Sequence, residues 1–285
     1  MITINKDTWS LKIKDIFSKK KAQIKTFIKS HNSLQIRKFS FNGALNNKLT
    51  ADIRIAHLTD QHVGKITPFE IQLSAIKKTN EENIDLVLLS GDFVCHNNLF
   101  LSDLTYLISQ FNAPVFAVLG NHDHWTNAQK VKQALKKAGA ETLSNANTSI
   151  EIKHQRIQLI GLDDAYTHND NIKKAVLGMN KNLPSIGLSH IGEQADKLWQ
   201  NNIPLVLSGH THAGQITIAR INELFIGQIA GYKYIHGLYS KEYSKPEKGS
   251  VYVSAGIGAA IIPIRIGKNS KREVTIFNLK APKTS

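Results

Sequence analysis

A single cysteine, Cys95, leaves this sequence with no disulfide framework and no thiolate zinc site, and it predicts a reducing compartment. No apolar run approaches the roughly 18 residues needed to span a bilayer, and no signal-peptide hydrophobic region precedes the first strand-like segment. Together these predict a cytoplasmic protein, or one lying peripherally on the cytoplasmic face of the inner membrane. Acidic residues are scarce at the two ends. Residues 1–40 hold ten Lys/Arg against two Asp/Glu, and residues 265–285 hold six against one. Of the net charge of +14, those ends carry +8 and +5, leaving the middle nearly neutral. Repeats, low-complexity linkers and a clean boundary after residue 50 are also missing. The expected organisation is a basic segment over 1–50 followed by one domain over 51–285.

In the first segment Trp9, Ile13, Ile16, Phe17, Ile24, Phe27 and Ile28 recur at helical spacing, with Lys12, Lys14, Lys19, Lys21, Lys25 and Lys29 mostly elsewhere around the helix. A basic amphipathic helix with aromatics on its apolar side suits an anionic membrane surface. The same pattern suits a helix packed on the body of the protein. It suits nucleic acid less well, because its aromatics do not interleave with the lysines as stacking platforms would.

From residue 53 the pattern becomes regular. Strand-like runs over 53–58, 84–89 and 114–119 alternate with helical stretches near 69–79, 99–111 and 126–138. That alternation predicts a largely parallel central sheet in the first half. The second half carries short strand-like runs over 149–152, 156–162, 185–188, 204–207, 215–221, 224–226, 250–253, 261–264 and 273–277, which suit an antiparallel or mixed sheet. Two packed sheets in one domain are the simplest architecture.

What singles the chain out is how its strands end. The buried run 84–89 stops at Ser90-Gly91-Asp92, and open α/β sheets place their ligands at such carboxyl ends. Asp60 and His62 follow the first run, Asn121 and His122 the third, and His190, His210 and His212 two later ones. Taken singly, a strand-end Asp is a turn residue or helix cap, and a lone His a satisfied polar side chain. Taken together, Asp60, His62, Asp92, Asn121, His190, His210 and His212 form an oxygen and imidazole set suited to Mn, Fe or Zn. Seven ligands exceed the three or four of one open catalytic site and match two metals sharing a carboxylate. Asp92, on the most central strand, is the natural bridge.

Asp60-x-His62, Gly91-Asp92, Gly120-Asn121-His122-Asp123, the lone His190 and Gly209-His210-Thr211-His212 resemble, in order and spacing, the motif series of the calcineurin-like metallophosphoesterases. The resemblance covers residues 50–265. It implies a four-layer α/β/β/α sandwich of two mixed sheets. It implies that Asp60, His62 and His212 hold one divalent ion and Asn121, His190 and His210 the other, with Asp92 bridging, and Mn favoured. His122 is implied as the general acid beside the leaving group. The His-Thr-His-x-Gly-Gln-Ile stretch and the Gly-rich late loop look like the subgroup with bacterial phosphodiesterases and UDP-2,3-diacylglucosamine pyrophosphatases. Those enzymes split an acylated sugar nucleotide into lipid X and UMP in lipid A synthesis. A basic nucleic-acid-binding protein or nuclease on the same fold is the alternative.

Three positions depart from the family pattern. Where many members carry an Asp that orients the catalytic His, Cys95 stands here. Ala213 precedes Gly214 where the subgroup usually has two glycines, and Ala255 occupies a place often held by Arg. The last of these predicts altered substrate specificity. His57, His96, His124, His154, His168 and His236 are expected outside the ligand set, with His124 close enough to support His122.

Overall fold

A computed structural model describes residues 33–41, 45–95, 97–214, 231–240, 249–259, 265 and 270–282. The basic helix expected within residues 1–32, and the runs at 215–221, 224–226 and 261–264, lie outside the described residues. In chain order the described elements are β1 (Gln35–Phe41), β2 (Ile53–Leu58), α1 (Phe69–Asn80), β3 (Leu86–Ser90), α2 (Leu101–Ile108), β4 (Val115–Val118), α3 (Asn121–Lys137) and β5 (Glu141–Thr142). There follow β6 (Ala146–Ile152), β7 (Gln155–Gly161), α4 (Ile172–Ala175), β8 (Ser185–Leu188), α5 (Ala195–Trp199), β9 (Leu205–Ser208), β10 (Gly237–Ser240), β11 (Ser250–Val253) and β12 (Glu273–Leu279). None of the described helices is long and apolar enough to cross a membrane.

Two mixed six-stranded sheets result, ordered β1-β12-β2-β3-β4-β5 and β10-β11-β9-β8-β7-β6. The first sheet is parallel from β2 to β5, with β12 antiparallel to β2. The second is parallel across β7, β8, β9 and β11, with antiparallel β6 and β10 at its edges. The parallel centre of the second sheet is hard to read from sequence because its helices α4 and α5 are only four and five residues long. So short a helix shows no 3.6-residue period.

Strand alternation sorts the side chains into layers. Ile53, Ile55, Leu86, Leu88, Phe116 and Val118 of the first sheet meet Ile157, Leu159, Ile186, Leu188, Leu205 and Leu207 of the second in a core between the sheets. The opposite residues of the first sheet, Ala56, Leu58, Val87, Leu89 and Ala117, pack under Ile76, Leu104, Leu107, Val131 and Leu135 of α1, α2 and α3. Ile160, Val206, Val251 and Val253 of the second sheet pack under Ala195, Leu198 and Trp199 of α5. The four layers run helix, sheet, sheet, helix, as expected. Every residue of β3 is buried, which is why its sequence is continuously apolar rather than alternating.

Two boundaries differ from expectation. The sheet takes in residues 35–41, placed with the basic segment on sequence grounds, because β1 pairs with β12 over its whole length. Its pattern is half-buried and lysine-bearing, as an edge strand's is. The third helix begins at Asn121 rather than near 126, since Asp123 Oδ2 accepts the Gly120 N–H at 2.9 Å and caps an earlier start. An extended residue, Asn127, with φ 175° and ψ 94°, then interrupts the helix, so the apolar period becomes visible only beyond it.

One buried charge ties the edge of the first sheet to the second. Glu273, fully buried at the start of β12, accepts from Tyr252 Oη at 2.7 Å and from the Ala255 N–H at 3.0 Å. Arg37 Nη1 and His236 Nε2 each stand 3.4 Å from its Oε2. Burial alone would raise this carboxyl, but His236, Arg37 and Tyr252 outweigh it and hold the group at about 2 against an ordinary 4.5. A carboxyl depressed on folding stabilises the fold above its unfolded pKa and loses that contribution as pH falls through its folded one. The difference corresponds to ~3 kcal/mol at neutral pH. Urea unfolding of Glu273→Gln should show a loss of about that size at pH 7, shrinking towards zero as pH drops from ~5 to ~2. A loss independent of pH would show that packing, and not charge, makes the contribution.

Candidate metal centre

Both sheets present the carboxyl ends of their parallel strands to the same place, and every strand-end residue singled out in the sequence is found there. Asp60 and His62 follow β2, Asp92 follows β3, and Asn121 and His122 follow β4. His190 follows β8, and His210 and His212 follow β9. Backbone bonds knit these ends together within the first sheet: Asp60 N donates to Gly91 O and His62 N to Asp92 O, both at 2.9 Å. The sheets are joined by His190 Nδ1, 2.7 Å from Ser90 O, and by His210 N, which donates to Asp60 Oδ2 at 3.0 Å.

The local backbone is strained in a consistent way. Asp60, His62, Asp92, His210 and His212 all have positive φ, between 45° and 73°. Non-glycine residues avoid that region, and a cluster of them points to function. The glycines make the close approach possible. Gly91 has φ 92°, and a Cβ there would lie 2.5 Å from Gly120 N. A Cβ on Gly209 would collide with the Thr59 and Asp60 side chains.

Two groups of ligand atoms form. Asp60, His62 and His212 make one, and Asp92, His190 and His210 the other, with the atoms of each within 4.8 Å of one another. In the first, His62 Nε2 lies 3.1 Å from His212 Nε2, and His212 Nε2 lies 3.3 Å from Asp60 Oδ1. In the second, His210 Nδ1 lies 3.2 Å from His190 Nε2, and His190 Nε2 lies 3.3 Å from Asp92 Oδ2. Two atoms each about 2.1 Å from one cation in tetrahedral coordination stand roughly 3.4 Å apart, so these spacings would suit a shared cation in each group. Asp92 Oδ2 is also 3.5 Å from His62 Nε2, so the same oxygen faces both groups. Its other oxygen accepts the His122 N–H at 2.9 Å. Asn121 Oδ1 is buried and has no hydrogen-bond partner among the described residues. A bound cation would satisfy such a neutral buried acceptor.

The electrostatics agree with ligation. Burial holds His62 and His210 down to about 3 and His212 well below its ordinary value, so these rings are neutral and offer lone pairs. His190 is the exception: Asp92 beside it outweighs its burial and pushes it up to about 10. The same contact, with His62, holds the Asp92 carboxyl well below the usual range despite its burial. Burial raises Asp60 to about 6. Nitrogens turned away from the ligand groups are held in turn: His190 Nδ1 by Ser90 O, and His210 Nε2 by Tyr232 Oη at 2.7 Å.

His122 sits over this centre, its ring 4.8 Å from that of His62 and perpendicular to it, and 5.0 Å from Trp125. Cys95 Sγ lies within 4.8 Å of ring nitrogens of His62 and His122. Burial raises the thiol, so Cys95 keeps its proton and does not replace a carboxylate in charge. The rings of His62 and Trp125 flank His122.

Of the remaining histidines, His57 is buried between the sheets against Ser90 Oγ at 2.8 Å, His236 belongs to the Glu273 cluster, and His96 lies outside the described residues. His124 pairs with Asp163 at 2.7 Å, while Asp164 closes a turn by accepting from Thr167 N at 2.7 Å.

Two contributors went unread in the sequence. Asp123 is fully buried and accepts from the N–H groups of Asp92, Phe93, Val94 and Gly120, at 2.8–3.2 Å. Its signal was the capping position three residues after Gly120. Arg265, fully buried, donates to Ala255 O at 2.6 Å and Ser270 O at 3.2 Å, and its Nη2 lies 3.1 Å from His212 Nδ1. It closes the apolar run 261–264, repeating the strand-end pattern of the other site residues. The Ala255 position thus has a guanidinium at its carbonyl, supplied from ten residues on.

The sequence profile described as calcineurin-like phosphoesterase matches residues 53–214. The chain is 28% identical over 235 residues to Phosphodiesterase YaeI of Escherichia coli (strain K12), spanning 80% of this chain and 83% of that protein. It is 24% identical over 259 residues to UDP-2,3-diacylglucosamine pyrophosphatase LpxG of Chlamydia muridarum, spanning 72% and 78%. Among solved structures, the 5'-nucleotidase precursor from Thermus thermophilus aligns with a TM-score of 0.50 at 17% identity, over 73% of this chain and 49% of that one. That likeness concerns the fold alone.

Asp123→Ala would leave four buried N–H groups unsatisfied behind Asp92. Equilibrium unfolding should show a loss on the order of 3 kcal/mol or more, with metal content of the purified protein falling in parallel. Unchanged stability would mean that the Gly91 and Gly120 turns hold without it.

Proposed function

Because the chain belongs to the calcineurin-like phosphoesterase family, we propose that its strand-end residues bind two divalent cations and hydrolyse a phosphodiester or pyrophosphate bond there. The protein is a hydrolase of that family, and its relatives include a phosphodiesterase. Asp60, His62 and His212 would hold one cation, Asn121, His190 and His210 the other, and Asp92 Oδ2 both. The observation that carries this reading is the single Asp92 oxygen facing two ligand groups, 3.3 Å from His190 and 3.5 Å from His62. Bound cations supply Lewis-acid polarisation of the phosphoryl oxygens and a nucleophile at neutral pH. Manganese is the favoured metal, with iron and zinc suited to the same ligands.

The protein's own part is positional. Asn121 adds an oxygen without adding charge, which keeps the centre receptive to a phosphate. His122, held by Asp92 Oδ1 at its backbone, turns a ring towards the mouth, where a proton on it is in place for the departing oxygen. Asp123 and the glycine turns fix the loops, so that little reorganisation accompanies the reaction.

For the substrate, our reading is an acylated sugar nucleotide, UDP-2,3-diacylglucosamine, cleaved to UMP and lipid X. Similarity to the Chlamydia pyrophosphatase supports it, as does the +8 of residues 1–40, which suits an anionic lipid surface at the cytoplasmic face of the inner membrane.

Purified protein should carry about two Mn, Fe or Zn ions per chain by elemental analysis. Asp92→Asn should lower that number and reduce turnover of a simple phosphodiester by about 100-fold or more. Two retained metals with unchanged turnover would remove Asp92 from the bridge. With Mn²⁺ present, UDP-2,3-diacylglucosamine should release UMP. Efficient cleavage of simple diesters alongside no UMP would exclude the lipid precursor and leave the phosphoesterase standing.

A further inference from the structure

Two large aromatic side chains stand at the mouth of the metal centre with about half their surface in solvent. Trp125 is 51% exposed and Tyr166 is 53% exposed. Their rings meet edge to face, with centroids 5.7 Å apart and planes at 79°. Trp125 is 5.0 Å from the ring of His122, and Tyr166 is 5.6 Å from that of His210. The pair is a corner, with one wall beside the proposed acid and the other beside a proposed ligand.

The corner is fixed from behind by polar contacts. His124, next to Trp125 in the chain, pairs with Asp163 at 2.7 Å, and Asn169 Nδ2 stands 3.3 Å from its other ring nitrogen. Asn145 Oδ1 accepts the N–H groups of Asp163 and Asn171 at 3.1 and 2.8 Å. Asp164 Oδ2 accepts from both N and Oγ1 of Thr167 at 2.7 Å, closing the turn that carries Tyr166. The first turn of α3 and the loop over 163–171 are thereby locked together, with the two rings on their outer side. Aromatic surface held rigid and left uncovered costs little further entropy when a ligand covers it.

The chemistry of the rim says what that ligand is. An acyl chain needs a continuous apolar run, but the rings beside the corner are the imidazoles of His122 and His210, with the Tyr232 phenol against His210. A flat ring with polar edges matches both parts: its face lies on an exposed aromatic, and its edge meets hydrogen-bonding groups. We propose that Trp125 and Tyr166 form a base-stacking subsite, so that the phosphoester turned over at the metal centre is a nucleotide. The subsite rests on the phosphoesterase reading for its purpose, and its binding is measurable without turnover.

The test uses the full chain loaded with Mn²⁺ and two substrates, a dinucleoside phosphodiester and a phosphodiester with glyceryl groups on both sides. The dinucleoside should be preferred by roughly tenfold or more in KM, the size expected of one stacked base. Trp125→Ala and Tyr166→Ala should each shrink that preference, acting through KM rather than kcat. Tyr106→Ala, which alters a tyrosine on α2 that is also 51% exposed, should leave the preference intact. No preference in the unaltered protein, or an equal loss on both substrates in Trp125→Ala, would overturn the subsite. Tryptophan fluorescence gives a second readout. Adenosine monophosphate should quench it, and Trp125→Ala should abolish the quenching while Trp199, 4% exposed, continues to emit. Quenching that persists in Trp125→Ala also overturns the proposal. If the metal-loaded protein hydrolyses neither ester but is quenched through Trp125, the phosphoesterase reading fails and the base subsite survives.

Discussion

Everything at the mouth of this fold follows from the burial of carboxylates. Asp60, Asp92 and Asp123 are all at most 1% exposed, within one cluster of loops. An ionised carboxylate removed from water costs several kcal/mol even after relaxation, unless charge or hydrogen bonds replace its hydration. The three are relieved by different means. Asp123 takes four backbone N–H groups. Asp92 takes one and faces His190 and His62. Asp60 takes Thr59 Oγ1 and the His210 N–H on one oxygen, while its other oxygen faces the neutral rings of His212 at 3.3 Å and His62 at 3.9 Å. Relief is uneven: burial and the neighbouring Asp92 charge raise Asp123 to about 7 and burial raises Asp60 to about 6, while His190 and His62 hold Asp92 well below the usual range. Three carboxylates buried this closely would all gain from positive charge placed among them.

That demand explains the backbone. Five residues at positive φ would be costly scattered through a protein; here each re-aims a side chain at a strand end, so that atoms from two sheets converge on one small volume. The sandwich supplies the rigidity that such strain requires. β3 is buried over its full length, and β8 and β9 face it across the apolar core, so a shift at Asp92 would have to displace both layers. Gly91, Gly120 and Gly209 mark where backbone meets backbone or carboxylate too closely for any Cβ. Core, turns and ligands are therefore one construction, read at three distances from the same atoms.

Much of this was legible because the chemistry of parallel strand ends is written locally. The runs ending in Asp60, Asp92, Asn121, His190 and His210 each carry their own apolar period and their own polar stop; two packed sheets with a shared set of strand ends follow from those together, and the four-layer order from the family resemblance. What could not be read was whatever has no local period. The strand at 35–41 looks like basic edge sequence until β12 pairs with it. The helices at 172–175 and 195–199 are too short to show a face. Asp123 was visible as part of a motif, but its four N–H partners include three from the next strand end, about thirty residues away. Trp125 and Tyr166 are 41 positions apart and are brought together by tertiary contacts such as His124 with Asp163 and Asn169.

The three departures from the family pattern fall unevenly on this construction. Ala213 is buried, has φ 51°, and lies beside the last ligand, so the strained turn a glycine would ease is kept with a methyl group in place. At Ala255 a methyl replaces a long cation, yet Arg265 brings a guanidinium to the same carbonyl and onto His212. That guanidinium is fully buried and ties the late loop at Ala255 and Ser270 to His212. Cys95 is the departure with chemical consequence. A thiol that keeps its proton stands there without a carboxylate's charge, near a His122 ring that His62 and Trp125 also flank. Trp125 stands beside the His122 ring and also forms a wall of the aromatic corner. The position three residues after Asp92 and the aromatic corner thus meet at one side chain, His122, which has Cys95 near its ring on one side and Trp125 on another.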